Sequence, residues 1–143
     1  MQFNYCISFF IKIKAYTLTI SPINPFNVSF GYSHQLKTMW KNGLLPQVKK
    51  GFYGGELTLN NLSLEHLKPH SRGGRTTWEN LVLATQKNNQ ARGNGSLTKF
   101  ADIEKVKDHL LQFKDLKVGK FDGNKYIKGI VKTLKKEGLD IIV

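Results

Sequence analysis

The sequence contains a single cysteine, Cys6, and this scarcity excludes two kinds of structural cross-link. A disulfide framework needs paired cysteines, and a thiolate zinc cage takes at least two cysteines from the chain. Any metal ion that this chain binds must therefore be held by oxygen atoms and imidazole nitrogens.

Carboxylates are also scarce, and none precedes Glu56. The 143 residues include 22 Lys and Arg against 10 Asp and Glu, which gives a formal net charge of +12. So basic a chain favours a polyanionic partner, because binding releases the counterions that are condensed on nucleic acid. An early acidic residue such as Glu65 lies in a positive field, and its presence there needs a chemical reason.

Long hydrophobic runs are missing as well. The first twenty residues are rich in apolar side chains, but Lys12 and Lys14 divide them into pieces too short to span a bilayer, and no small-residue cleavage site follows. We therefore expect an intracellular, cytoplasmic protein that has no membrane partner.

Hydropathy patterning predicts a small α+β protein, and 40% of its residues are hydrophobic and available for a core. Residues 1–50 are predicted to form an N-terminal extension with a strand over 11–20, a loop, and a short helix over 33–41. Alternating residues then predict strands at 56–59 and 62–66. Because Asn tolerates positive φ, Asn60-Asn61 is predicted to join these two strands as a hairpin.

A polar loop follows the predicted hairpin and leads to the apolar segment 81–84. Thr85 can cap a short helix that runs through Arg92, and Gly93 can end it. Three- and four-residue spacing of apolar side chains predicts two further amphipathic helices. One contains Ile103, Val106, Leu110 and Phe113, and the other contains Ile127, Ile130, Val131 and Leu134.

The last predicted helix carries several lysines opposite its apolar side: Lys125, Lys128, Lys132, Lys135 and Lys136. No base-reading pattern of Arg, Asn and Gln accompanies them, so we interpret this side as a solvated face rather than a groove reader.

Residues 65–93 concentrate the side chains that can carry chemistry. Glu65 and His66 lie at a strand end, Asn80 opens the next apolar segment, and Asn89 lies in the short helix. A carboxylate and an amide oxygen suit Mg²⁺, which leaves most of its coordination positions to water and substrate. Adjacent strand residues point to opposite faces, so we expect one of Glu65 and His66 to bind metal and the other to act on the nucleophile.

The segments EHLKPHSRGG, ENLVLA and NNQARG together resemble the HNH endonuclease family. The motif of that family runs from Asp/Glu-His through Pro, Ser and Gly-Gly to Asn-Leu, and then to an Asn or His that Gly follows four residues later. The resemblance covers residues 51–93. It implies a ββα-metal core at 51–95, with the extension 1–50 before it and helices in 96–143 packed on it.

The resemblance also implies a function and residue roles. The chain is expected to be a divalent-metal-dependent endonuclease that hydrolyses double-stranded DNA and leaves 5′-phosphate and 3′-hydroxyl ends. His66 would be the general base, Asn80 would pin the loop that orients it, and Glu65 and Asn89 would bind Mg²⁺, Mn²⁺ or another divalent cation. Family members usually have Asp at the position of Glu65, and the Glu65 side chain is longer than that of Asp.

Several neighbouring residues are further candidates. His70 lies on the loop four residues after His66, and Asn88 adjoins Asn89, although the four-residue step to Gly93 selects Asn89 as the ligand. The basic residues that flank the motif could bind phosphates without reading sequence. They are Arg72, Arg75, Lys87 and Arg92.

Many relatives hold a structural zinc with two CxxC pairs, whose positions fall here at Gly51, Gly54, Thr85 and Asn88. None of the four is cysteine, so no structural zinc is expected. We expect packing by the helices after residue 98, and by the strand before residue 22, to replace this cross-link.

Two alternatives remain open from the sequence. The chain could be a non-catalytic nucleic-acid-binding module derived from an HNH fold, or it could be an RNA nuclease. A solitary histidine such as His109 is interpreted as an ordinary surface or core residue.

Overall fold

The computed structural model describes the backbone of residues 32–143 and the side chains from Gln35 onward. The strand predicted over 11–20 lies outside the described residues. The helices are α1 (Tyr32–Lys41), α2 (Gln86–Arg92), α3 (Leu97–Phe100), α4 (Ile103–Leu111) and α5 (Gly123–Lys136). The strands are β1 (Leu62–His66), β2 (Leu81–Thr85), β3 (Lys117–Val118) and β4 (Phe121–Asp122), and 3-10 turns lie at His70–Arg72 and Trp78–Asn80. The α+β class is confirmed.

The predicted hairpin between residues 56–59 and 62–66 is wrong. Strand β1 instead pairs antiparallel with β2, from Leu62 opposite Thr85 to His66 opposite Leu81. The Asn61 side chain accepts a hydrogen bond from Thr58 N and donates one to the Glu56 carbonyl, so it folds this segment into a local turn. Every residue of β2 is buried, whereas Leu57 is the one buried residue of 56–59, so a sheet built with β2 removes more apolar surface from water.

Helix α2 follows β2 without a loop. The Thr85 hydroxyl accepts a hydrogen bond from Asn88 N at the start of the helix, and Gly93 ends the helix with a φ of 53°. The predicted cap and end of α2 are thereby confirmed. The result is a strand, a long loop, a second strand and a helix, and the loop of residues 67–80 joins two strand ends that lie side by side.

The C-terminal helices share a hydrophobic core with the sheet and α1. Both amphipathic helices are confirmed, and each buries most of the apolar side that the sequence predicts. Ile103 at the start of α4 is exposed, and Phe113 is buried just beyond the end of that helix. Buried members of the common core include Leu36 and Met39 of α1, Val82 and Leu83 of β2, Val106 and Leu110 of α4, and Ile130 and Leu134 of α5.

Helix α5 packs on the 3-10 turn at Trp78–Asn80, where the long loop ends. The Tyr126 hydroxyl donates a buried hydrogen bond of 2.6 Å to the Leu81 carbonyl. A Cβ added to Gly129 would lie 2.9 Å from Glu79 Cγ, so glycine permits this close approach. Within residues 32–143, no helix has the length and apolar character needed to cross a membrane.

Candidate active site

Glu65 lies on the face of β1 that is covered by α2, and it is 3% exposed. Its Oε1 atom forms an ion pair with Arg92 Nη1 and accepts a hydrogen bond of 2.9 Å from the Tyr53 hydroxyl. Burial raises the pKa of the Glu65 carboxyl, and Arg92 and Tyr53 oppose that rise. Burial also raises the pKa of Tyr53, which keeps its hydroxyl protonated as a donor to Glu65. The positive charge of Arg92 is therefore the chemical reason for a carboxylate at Glu65 in this basic part of the chain.

The expectation that Arg92 binds a nucleic-acid phosphate does not hold. Arg92 is 4% exposed, and all of its guanidinium nitrogens donate within the protein. Besides Glu65, Nη1 donates to the His66 carbonyl, Nη2 to the Leu67 carbonyl, and Nε to the Gly95 carbonyl. Arg92 ties the end of β1 to α2, and its guanidinium is committed to these internal partners.

His66 is the last residue of β1 and is half-buried. Its Nε2 atom lies 2.9 Å from Thr76 Oγ1, across the long loop. The exposed His70 ring lies beyond it, with ring centroids 6.4 Å apart at 79°. Burial lowers the pKa of His66, and the charge of His70 lowers it further. The imidazole is therefore neutral at neutral pH in the isolated protein.

Asn80 is buried and joins the two ends of the long loop. Its Oδ1 accepts a hydrogen bond from Lys68 N, and its Nδ2 donates to the carbonyls of Lys68 and Arg75. A Cβ on Gly74 would overlap the Lys68 carbonyl oxygen, so glycine is needed where the loop passes this point. These hydrogen bonds hold the long loop in place. They act next to Thr76, which contacts His66.

Asn89 lies on the side of α2 that faces β1. Its Nδ2 donates to Ser63 Oγ at 2.7 Å and to the Leu64 carbonyl at 2.9 Å. Ser63 and Glu65 share one face of β1, because side chains alternate along a strand. Asn89 and Glu65 are therefore brought to the same strand and helix interface, while His66 points away from it.

Glu65 and Asn89 are the residues of this interface that could hold a cation. Both hydrogen bonds to the Glu65 carboxylate go to Oε1, and both bonds of the Asn89 amide come from Nδ2, so Glu65 Oε2 and Asn89 Oδ1 accept no hydrogen bond from the described residues. Among residues 35–143, no three His, Cys, Asp or Glu side chains form a group that could hold a metal ion. Two oxygen ligands fit Mg²⁺, which keeps much of its water shell.

The remaining candidate residues differ in their exposure and in their contacts. Arg72, Arg75 and Lys87 are exposed, as a residue that contacts a nucleic-acid phosphate must be. Asn88 is instead turned towards the loop before β1, where its Nδ2 donates to the Gly54 carbonyl at 3.1 Å.

The structure brings together the four positions at which zinc-binding relatives carry cysteine. Asn88 bonds both the Thr85 hydroxyl and the Gly54 carbonyl, and Gly54 N donates to the Gly51 carbonyl. A Cβ on Gly51 would lie 3.3 Å from Thr85 N. Hydrogen bonds thus connect the backbone segments that a zinc ion would otherwise cross-link.

Helix α4 and the residue after it hold the same region from outside. Gln112 Oε1 accepts hydrogen bonds from Lys49 N and Lys50 N, and His109 Nδ1 lies 2.8 Å from the Lys50 carbonyl. His109 is fully buried against Phe52 and Phe113, and its Nε2 has no hydrogen-bond partner in the described chain. Helix α4 and Gln112 thus contact the segment at Lys49 and Lys50 through hydrogen bonds as well as through packing.

His109 makes the stability of the fold depend on pH. Burial lowers its pKa to about 4, whereas an unfolded histidine titrates near 6.5. The unfolded chain therefore takes up a proton that the folded chain refuses, and stability decreases as the pH falls from 6.5 towards 4. We expect His109 to contribute about 2 kcal/mol to the loss of unfolding free energy between pH 7.5 and pH 5.

Urea unfolding of wild type, His109→Gln and His70→Gln at both pH values measures this effect. The pH-dependent loss should shrink in His109→Gln and persist in His70→Gln, because His70 is exposed. Equal pH dependence in all three proteins would contradict the assignment.

Three residues that contact the candidate site were not singled out from the sequence. Ser63 lies two residues before Glu65, and the two-residue period of a strand could have placed it on the same face. Tyr53 and Thr76 are separated from their partners by 12 and 10 residues, and no spacing rule connects them.

The segment that carries this geometry is similar to a known family of domains. Residues 52–95 match the family model described as HNH endonuclease. The resemblance seen in the sequence is confirmed for this segment, and an HNH domain indicates nuclease activity on a nucleic-acid substrate. No curated protein and no solved structure matches the chain.

Proposed function

We propose that this protein is a divalent-metal-dependent endonuclease that hydrolyses phosphodiester bonds of double-stranded DNA. One observation carries the proposal: β1 ends with Glu65 facing α2 and His66 facing the loop that Asn80 pins. This arrangement separates a cation-binding side from a proton-accepting side within two adjacent residues. The match of residues 52–95 to HNH endonuclease supports the same reaction class.

His66 is proposed as the general base. If Nε2–H donates to Thr76 Oγ1, the lone pair of Nδ1 is available to take a proton from water. The oxygen of that water then forms a bond to phosphorus while the bond from phosphorus to O3′ breaks. The O3′ leaving group takes a proton from solvent, which gives a 3′-hydroxyl and a 5′-phosphate.

Glu65 and Asn89 are proposed to hold the divalent cation through Oε2 and Oδ1. When bound, that cation would neutralise charge that develops on the phosphate and on the leaving oxygen. Ser63 and the Leu64 carbonyl fix the amide of Asn89 so that its oxygen has one orientation. Arg92 and Tyr53 hold Oε1 of Glu65 in the same way.

Cleavage of supercoiled plasmid by the purified protein tests the proposal, with Mg²⁺, Mn²⁺ or EDTA in parallel reactions. We expect nicked or linear DNA with either metal ion and intact plasmid in EDTA, and a single-stranded RNA of equal nucleotide content should be cleaved more slowly. Bound but uncut DNA with every metal ion would favour a non-catalytic binding module. Preferential cleavage of the RNA would make the protein an RNA nuclease.

A further inference from the structure

The exposed side of α5 is a continuous basic surface, here called the lysine stripe and formed by Lys125, Lys128, Lys132, Lys135 and Lys136. At 100° per residue, these side chains fall within an arc of about 100°, and the stripe is about 16 Å long. The opposite side of α5 is buried through Tyr126, Ile127, Ile130 and Leu134. The helix is thus anchored on one side and exposes a basic surface on the other.

The lysine stripe differs from an ordinary solvated face because, within residues 35–143, none of its lysines forms an ion pair. Helix α5 contains no Asp or Glu, and within residues 35–143 the ion pairs are Arg92 with Glu65 and Lys107 with Glu104. Several stripe lysines are three or four residues apart, as Lys128 and Lys132 are, and such like-charge pairs destabilise a helix. A bound polyanion would remove this repulsion.

The lysine stripe is fixed next to the loop of the candidate site. Gly129 contacts Glu79 of the turn that ends the loop, and on the helix surface Gly129 adjoins Lys125 and Lys132. Tyr126 and Trp78 also pack together, with ring centroids 6.3 Å apart. The edge of the stripe therefore lies against the end of the loop that pins His66.

The chemistry of the stripe points to the phosphates of a duplex. No aromatic residue of α5 is exposed, so the stripe offers no platform on which single-stranded bases could stack. Asn124, the one amide side chain of α5, is bonded to Asp115. Membrane insertion would need an exposed apolar side, and the apolar side of α5 is buried.

We propose that the lysine stripe is a second phosphate-binding surface, which holds duplex DNA beside the site of cleavage without reading its sequence. This inference rests on the proposed function, because it takes DNA as the substrate. It assigns to the stripe a role in affinity and in the length of duplex bound, and it assigns no role in the chemical step.

Binding measurements in EDTA test the proposal without any need for cleavage. The stripe variant combines Lys125→Gln, Lys128→Gln and Lys132→Gln. The control variant combines Lys41→Gln, Lys99→Gln and Lys114→Gln, which removes the same charge from exposed positions outside α5. Fluorescence anisotropy with a 30-base-pair duplex, repeated over a series of salt concentrations, gives the slope of log K against log salt.

We expect the magnitude of this slope to fall by about 2.7 in the stripe variant, because each phosphate that the protein no longer neutralises lowers it by about 0.9. In the control variant the slope should stay unchanged. An unchanged slope in the stripe variant, or an equal fall in the control, would overturn the proposal. So would stronger binding to a single-stranded 30-mer or to phosphatidylserine vesicles than to the duplex. A fall in slope by a protein that never cleaves DNA would support the stripe and refute the nuclease.

Discussion

Replacement of His66 by alanine is expected to slow DNA cleavage by roughly 10²- to 10⁴-fold, the usual contribution of a general base. The loss should appear in the single-turnover rate at saturating DNA, because His66 would act on the attacking water and not on binding. The fold should survive, since His66 is half-buried and its side chain makes one hydrogen bond, to Thr76. Quench-flow measurement with a labelled duplex gives the rate.

His70→Ala is the matched control for this experiment. It removes an imidazole whose ring centroid lies 6.4 Å from that of His66, but His70 is exposed and has no assigned role in the reaction. Its cleavage rate should stay within a few-fold of wild type. If His70→Ala abolishes cleavage and His66→Ala does not, the base has been assigned to the wrong histidine.

Replacement of Arg92 by methionine is expected to lower the free energy of unfolding by about 3–5 kcal/mol. The variant leaves the buried Glu65 carboxylate without its positive partner and removes the donors to the carbonyls of His66, Leu67 and Gly95. Urea denaturation followed by circular dichroism measures the loss. In the exposed Arg75→Met, the same measurement should change by less than about 0.5 kcal/mol.

Two further variants keep this prediction testable if Arg92→Met does not fold. Arg92→Lys retains a charge near Glu65 but cannot make most of the hydrogen bonds to backbone carbonyls, so it should be intermediate in stability. The double variant Glu65→Gln/Arg92→Met should lose less stability than the sum of its single variants, because no buried charge remains once both residues are changed. A loss of DNA affinity at unchanged stability in Arg92→Met would restore the predicted phosphate contact.

The sequence predicted the local elements well, because short-range signals encode them. Thr85 and Gly93 define α2, and the apolar spacing of α4 and α5 defines most of their buried sides, with Ile103 as an exposed exception. The hairpin failed because its signal, Asn60-Asn61, is equally suited to a turn closed by the Asn61 side chain. The true partner of β1 lies beyond the loop of residues 67–80, and no local pattern specifies which distant strand will pair.

The site residues stay a prediction, and the structure adds the contacts that each of them makes. The resemblance to HNH endonucleases proposed His66, Asn80 and Asn89 as site residues, whereas charge alone made Arg92 look like a surface residue. Its burial depends on how α2 packs on β1, which is a tertiary property. The contacts of Tyr53 and Thr76 likewise arise only when distant segments meet.

The pairing of β1 with β2 also ties the assembly of the site to the kinetics of folding. To form this sheet, the chain must first close the loop of residues 67–80, and it pays the conformational entropy of that closure before the strands are in contact. Contacts between residues this far apart in sequence slow folding relative to a local hairpin. Asn80, at one end of this loop, bonds Lys68 near the other end, so the hydrogen bonds that order the loop beside His66 also stabilise its closed form.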